Sequence, residues 1–150
     1  MKTFTPTRLA LTGLLLSAFC LTARAESQGP QLQEKAVSKN LNQPLVVLLK
    51  SDTCAVCKKI APLLSRLNKT YQHRSQWVTL DLSNRKTLAQ AEKQVKALGI
   101  EAFFEKYGNH TGIVAVMDPH SKQLLTLLIA EEKPEKYQMA LDQALKILNP

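Results

Sequence analysis

The 150-residue chain carries 20 Lys and Arg against 12 Asp and Glu, a formal charge of +8, with 45% hydrophobic but only 5% aromatic residues. That length suits one domain with a real core. The basic residues are scattered along the chain and few aromatics lie among them, which excludes a nucleic-acid-binding stripe.

In chain order, Lys2 and Arg8 lead into an apolar stretch from Leu9 to Leu21, followed by Ala23-Arg24-Ala25. A basic start, a short apolar run and an A-x-A end predict a secretory signal peptide over residues 1–25, cleaved near Ala25. The stretch is too short, and too soon followed by polar residues, for a stable membrane span. Cys20 follows Phe19 rather than a small residue, which argues against lipidation there, and it is expected to leave with the signal. Of three cysteines, Cys54 and Cys57 then remain as a clean pair. Loss of Lys2, Arg8 and Arg24 takes the formal +8 down by three to +5, the charge of a mildly basic exported domain.

Residues 26–43 read as a lead, with a helix over Leu32 to Leu41. Asn42-Gln43-Pro44 turns the chain into an aliphatic run, Leu45 to Leu49, suited to a strand buried on both faces. After Cys54 and Cys57, Val56, Ile60, Leu63, Leu64, Leu67 and Tyr71 recur at helical spacing, with Lys58, Lys59, Arg66 and Lys69 mostly off that stripe. Pro62 falls inside this helix, which is expected to end near Gln72-His73. Trp77 to Leu82 alternates as a second strand, with Trp77 read as a packing residue. Leu88, Ala91, Val95 and Leu98 predict another helix, closed by Gly99 at a C-cap position. Glu101 to Tyr107 adds a short helical turn. Gly112 to Met117 and Gln123 to Ile129 are apolar runs joined by Asp118-Pro119-His120-Ser121-Lys122, a set of turn formers that predicts an antiparallel hairpin. A last helix covers Glu135 to Leu148. Residues 44–150 are thus one α/β domain of strand, helix, strand, helix, strand, strand, helix, its first half requiring a crossover between parallel strands.

The chemistry concentrates where the first strand meets the first helix. A cysteine at a helix start meets unpaired backbone N–H groups and the positive end of the helix dipole, both of which favour thiolate over thiol. Cys54 is therefore predicted to be the more acidic, more exposed nucleophile. Lys50, Lys58 and Lys59 favour the same ionisation and Asp52 opposes it. Cys57, one turn further in, is placed to resolve a mixed disulfide at Cys54. A purely structural bridge is a weak alternative, because a four-residue loop constrains the unfolded chain little. A structural zinc site wants four ligands, and no second C-x-x-C or H-x-x-x-H accompanies His73, His110 and His120.

With the element order and Cys54-Ala55-Val56-Cys57-Lys58-Lys59-Ile60-Ala61-Pro62 in place, the sequence resembles the thioredoxin-like family from about Pro44 to Leu148. Thioredoxins likewise carry a proline five residues after the second cysteine. The resemblance implies a thioredoxin-like fold, a central mixed sheet flanked by helices, with Cys54 and Cys57 as a redox-active disulfide and no cofactor. It departs from the family in three places. Where members have a cis-proline before the hairpin, Thr111 is followed by Gly112, so the expected substrate-docking loop is Thr111–Gly112 without that ring. The buried acid six residues ahead of the first cysteine falls on Leu48, leaving water or Asp52 as proton acceptor for Cys57. The aromatic before the first cysteine is Thr53, and Ala55-Val56 matches neither a reducing Gly-Pro nor an oxidising Pro-His.

These features together predict an exported thiol–disulfide oxidoreductase, reductase- or isomerase-like, acting on disulfide-bearing or dithiol protein partners and not on nucleic acid. Two alternatives keep the fold. One is a soft-metal module holding Cu(I) through Cys54, Cys57 and His110, since the family proline helps to keep metal off the cysteines. The other is a non-catalytic partner-docking domain.

Overall fold

The computed structural model describes residues 42–150. The expected signal peptide and the helix over Leu32 to Leu41 lie outside the described residues. Strand β1 (Leu45–Lys50) leads into helix α1 (Ala55–Tyr71), which returns the chain to β2 (Gln76–Asp81). Helices α2 (Arg85–Leu98) and α3 (Glu101–Tyr107) follow, then the hairpin β3 (Ile113–Met117) and β4 (Leu124–Ile129), and finally α4 (Pro134–Leu148). The four strands form one mixed sheet in the order β2-β1-β3-β4. β1 runs parallel to β2 and antiparallel to β3, and β3 is antiparallel to β4.

The aliphatic runs explain why β1 and β3 lie in the middle. Every residue of β3 is buried, as are four of the six in β1, so neither strand has a wet face. Alternation then divides their side chains between two cores. Val46, Val114 and Val116 pack with Ile60, Leu63, Leu64 and Leu67 of α1 and with Tyr137, Leu141 and Ala144 of α4. On the opposite face Val47, Leu49, Ala115 and Leu80 meet Ala91 and Val95 of α2 and Phe103 of α3. The result is a sheet covered on both sides, α1 and α4 on one face and α2 and α3 on the other. Trp77 packs against the first of these cores and its indole N–H donates to Ser75 Oγ at 2.7 Å, as its packing role requires.

Local signals set the boundaries. Helix α2 begins at Arg85, three residues ahead of its first apolar position, because Asn84 Oδ1 accepts the N–H groups of Lys86 and Thr87 while Thr87 Oγ1 accepts the Asn84 N–H. That reciprocal box ties down a first turn with no core-facing residue. At the other end Gly99 takes φ +67, a left-handed C-cap. Helix α4 starts on Pro134, whose missing N–H is not needed at a helix's first position. Pro62 is contained within α1, which is one continuous helix of 17 residues.

Candidate active site at the head of the first helix

The chain leaves β1 at Lys50 and crosses a loop, Ser51-Asp52-Thr53, before Cys54 caps α1. Cys54 sits in extended backbone at φ −77 and ψ 106, its N–H donating to Ser51 O at 3.2 Å. Its Sγ accepts the Cys57 backbone N–H at 3.1 Å, the place a serine or aspartate oxygen takes in an ordinary N-cap. No acidic residue lies in the first turn of α1 to oppose a thiolate there. Cys54 and Cys57 are joined as a disulfide, their Cα atoms 5.2 Å apart. Cys57 is buried, 7% exposed, while Cys54 is only half-buried. Of the two residues, Cys54 is the more exposed.

Gly112 closes the site from the far side. Its φ is +76, and a Cβ built on it would lie 2.6 Å from Val56 Cγ1, 3.7 Å from Cys54 Sγ and 4.0 Å from Cys57 Sγ. Its N–H donates to Leu49 O and its carbonyl accepts from Ala130, so the backbone is held from both neighbouring strands. Gly112 thus lies against the disulfide. The glycine fills the place with a conformation that proline, fixed near φ −65, cannot adopt. Every described peptide bond is trans. Two clefts flank this loop and share Asn109 and Thr111. One, about 450 Å³, runs past Ser51, Thr53, Glu92 and Glu105. The other, about 640 Å³, runs past Lys106, His110, Ile113 and Ile129.

The structure does not gather the metal set. Among the described residues no group of three or more His, Cys, Asp or Glu side chains could hold a metal ion, and His110 is an exposed loop residue whose N–H caps the end of α3 at Tyr107 O. Leu48, at the family's acidic position, packs against the α1–α4 core. Asp52 is 77% exposed at its side chain and lies 3.6 Å from Lys50 Nζ.

Lys50 is engaged elsewhere. Its Nζ lies 2.6 Å from Asp81 Oδ2, and β1 and β2 place the two residues directly opposite each other. The hydrogen bond to Asp81 raises the ammonium above its ordinary value. Asp81 is held down at about 2, first by the Lys50 hydrogen bond and then by Ser83, whose hydroxyl and backbone N–H both donate to Oδ1. Ser83 Oγ in turn accepts the Asp52 N–H at 2.9 Å. Sequence reasoning assigned no role to Asp81 or Ser83. Nothing local ties the two to the redox loop, because Lys50 and Asp52 each lie 31 residues away in sequence.

A half-exposed N-capping cysteine bonded to a buried one, on a four-stranded mixed sheet between two helical layers, defines a thioredoxin-like dithiol domain. The thioredoxin family profile matches residues 29–122, and the chain belongs to that family. It is 33% identical over 86 residues to the thioredoxin-like protein HCF164, chloroplastic, of Oryza sativa subsp. japonica, a match covering 54% of this chain and 30% of that protein. The chain therefore spans about a third of the length of this curated relative. Among solved structures it resembles a protein from Chlorobium tepidum assigned as the thiol:disulfide interchange protein DsbE, with TM-score 0.51, 14% identity, and coverage of 70% of this chain and 82% of that one. It also resembles MTB dsbF, with TM-score 0.50, 13% identity, and coverage of 69% and 82%. At such identities the likeness is one of fold.

Proposed function

We propose that the protein is an exported thiol–disulfide oxidoreductase that exchanges the Cys54–Cys57 disulfide and dithiol with partner proteins. The observation that carries this is the asymmetric pair: Cys54 half-exposed with a backbone N–H directed at its sulfur, Cys57 buried one turn behind it. In the reducing direction, the Cys54 thiolate attacks one sulfur of a partner disulfide. A mixed disulfide forms and one partner thiolate leaves. Cys57, as thiolate, then attacks Cys54 Sγ, the mixed disulfide breaks, and the second partner thiolate is released and takes up a proton. Two electrons have passed to the partner and the protein is left in the disulfide form. The reverse sequence oxidises a partner dithiol. The two sulfurs carry the electrons themselves, so no cofactor enters. Thr111 and Gly112 form the wall along which a partner segment reaches Cys54.

Export rests on Lys2, Arg8, the apolar run and Ala23-Arg24-Ala25, and it suits a protein that must cycle between disulfide and dithiol outside a reducing cytosol. No helix among the described residues is long and apolar enough to cross a membrane. The test is a trap. Cys57→Ala, produced with its own N-terminus, is expected to accumulate specific mixed disulfides through Cys54 in the exported fraction, with the mature chain beginning after Ala25. A Cys57→Ala protein that captures no partner, while Cys54 stays accessible to alkylation, would overturn the exchange activity.

A further inference from the structure

The polar groups at the ends of β1 and β2 form a continuous chain that reaches the redox loop. Lys50 holds Asp81 Oδ2 at 2.6 Å, Asp81 Oδ1 accepts both the hydroxyl and the N–H of Ser83, and Ser83 Oγ accepts the N–H of Asp52. Asp52 stands two residues before Cys54. The next tie along the loop is Cys54 N–H to Ser51 O, and after it Cys57 N–H to Cys54 Sγ. The three-residue loop between β1 and the capping cysteine is therefore fastened at its middle to the end of β2 by the Ser83 hydroxyl, whose own orientation is fixed by the Asp81 carboxylate.

We infer that Asp81 and Ser83 are positioning residues for Cys54: they clamp the Ser51–Thr53 loop so that the cysteine holds its N-capping geometry. Neither touches a sulfur; both act through the loop. The inference deepens the thiol-exchange reading and rests on it for its meaning, though not for its test. An N-capping sulfur gains from the Cys57 N–H and the helix N-terminus only while it is held in line with them. Releasing the clamp frees the loop, weakens that contact and makes the thiolate less favoured. The charged groups about the loop and the head of α1 are Lys50, which pairs with Asp52 and Asp81, Lys58, Lys59, which lies 3.4 Å from Glu132 beyond β4, and Glu92 and Glu105, which line the cleft past Ser51 and Thr53.

The sign of the effect separates a clamp from simple electrostatics. Removing the negative charge of Asp81 with the loop unmoved favours the Cys54 thiolate and speeds its alkylation. Loosening the loop does the opposite. Ser83→Ala removes the clamp without changing any charge. The experiment is the pH profile of iodoacetamide alkylation of Cys54 in the reduced full-length protein, for wild type, Ser83→Ala, Asp81→Asn and Ser83→Thr. The clamp predicts that Ser83→Ala and Asp81→Asn each slow alkylation at pH 6 by about three- to tenfold, a pKa rise of roughly half to one unit. Ser83→Thr, which retains the hydroxyl, restores the wild-type profile. Profiles of Ser83→Ala indistinguishable from wild type, or an Asp81→Asn that reacts faster, would overturn it. If either variant fails to fold, Ser83→Thr against Ser83→Val in the folded protein reads the same hydroxyl, since those two side chains are isosteric and differ only by it. Failure of the thiol-exchange reading looks different: wild-type Cys54 would itself show an ordinary thiol profile, whatever the variants do.

Discussion

Gly112→Ala strains the site without removing a sulfur. The backbone there has φ +76, where an L side chain costs about 1–2 kcal/mol. The new Cβ would also lie 2.6 Å from Val56 Cγ1, far inside van der Waals contact. Val56 is β-branched and sits on α1, where one χ1 rotamer dominates, so it cannot turn aside cheaply. Overpacking of this kind costs about 1–3 kcal/mol. The two terms give a loss of about 2–5 kcal/mol. Gly99→Ala isolates the first of them, because Gly99 has φ +67 but nothing within 4 Å of its built Cβ. Urea unfolding of the oxidised protein, with m unchanged, should show Gly99→Ala losing about 1–2 kcal/mol and Gly112→Ala about 1–3 kcal/mol more. In thermal melts the second difference corresponds to roughly 5–15 °C for a domain of this size. Equal losses at the two glycines would refute the packing of Gly112 against Val56 and the disulfide. Gly112→Pro should be worse still, since proline cannot reach φ +76 and removes the N–H that Leu49 O accepts.

Two further predictions concern ionisation. Asp81, held at about 2 by the Lys50 hydrogen bond and then by Ser83, has a folded value below its unfolded one near 3.8. Its contribution is complete above that unfolded value and is lost as the pH falls through 2. Discounted for the partial exposure of both side chains, it amounts to about 1 kcal/mol. Urea midpoints for wild type and Asp81→Asn should therefore converge between pH 4 and pH 2, and parallel curves would contradict the ion pair. Tyr137 is pushed up to about 12, first by burial and then by Glu131, and its hydroxyl donates to Glu131 O at 2.7 Å. Because the folded value is raised, that contribution is whole below about pH 10 and lost as the pH rises toward 12. Tyr137→Phe should cost about 1 kcal/mol at neutral pH and flatten the alkaline limb of the stability curve. A Phe variant with the wild-type alkaline limb would count against it.

The elements were legible because each carries its own period. The five-residue aliphatic run gave β1, the Val56-to-Tyr71 stripe gave α1, and the turn formers from Asp118 to Lys122 gave the β3–β4 hairpin. Boundaries slipped where polar chemistry outran the apolar pattern. Asn84 and Thr87 start α2 ahead of Leu88, and β2 runs from Gln76 to Asp81 rather than from Trp77 to Leu82. The cysteine pair was legible for a different reason, since a spacing of three at a helix start places it. What stayed hidden depends on register. Lys50 read as a cation favouring the Cys54 thiolate, yet parallel pairing sets it against Asp81, and its charge is engaged there. Ser83 reaches Asp52 only because β2 ends beside β1. No window of sequence around either residue contains that fact.

The central claim is that Cys54 is the attacking sulfur of a reversible dithiol pair. Its most direct test is the rate at which the reduced protein consumes oxidised glutathione, measured for wild type and Cys54→Ala under the same conditions. Wild type should react and end as the intramolecular Cys54–Cys57 disulfide, and Cys54→Ala should lose the reaction. An unchanged rate in Cys54→Ala would contradict the account.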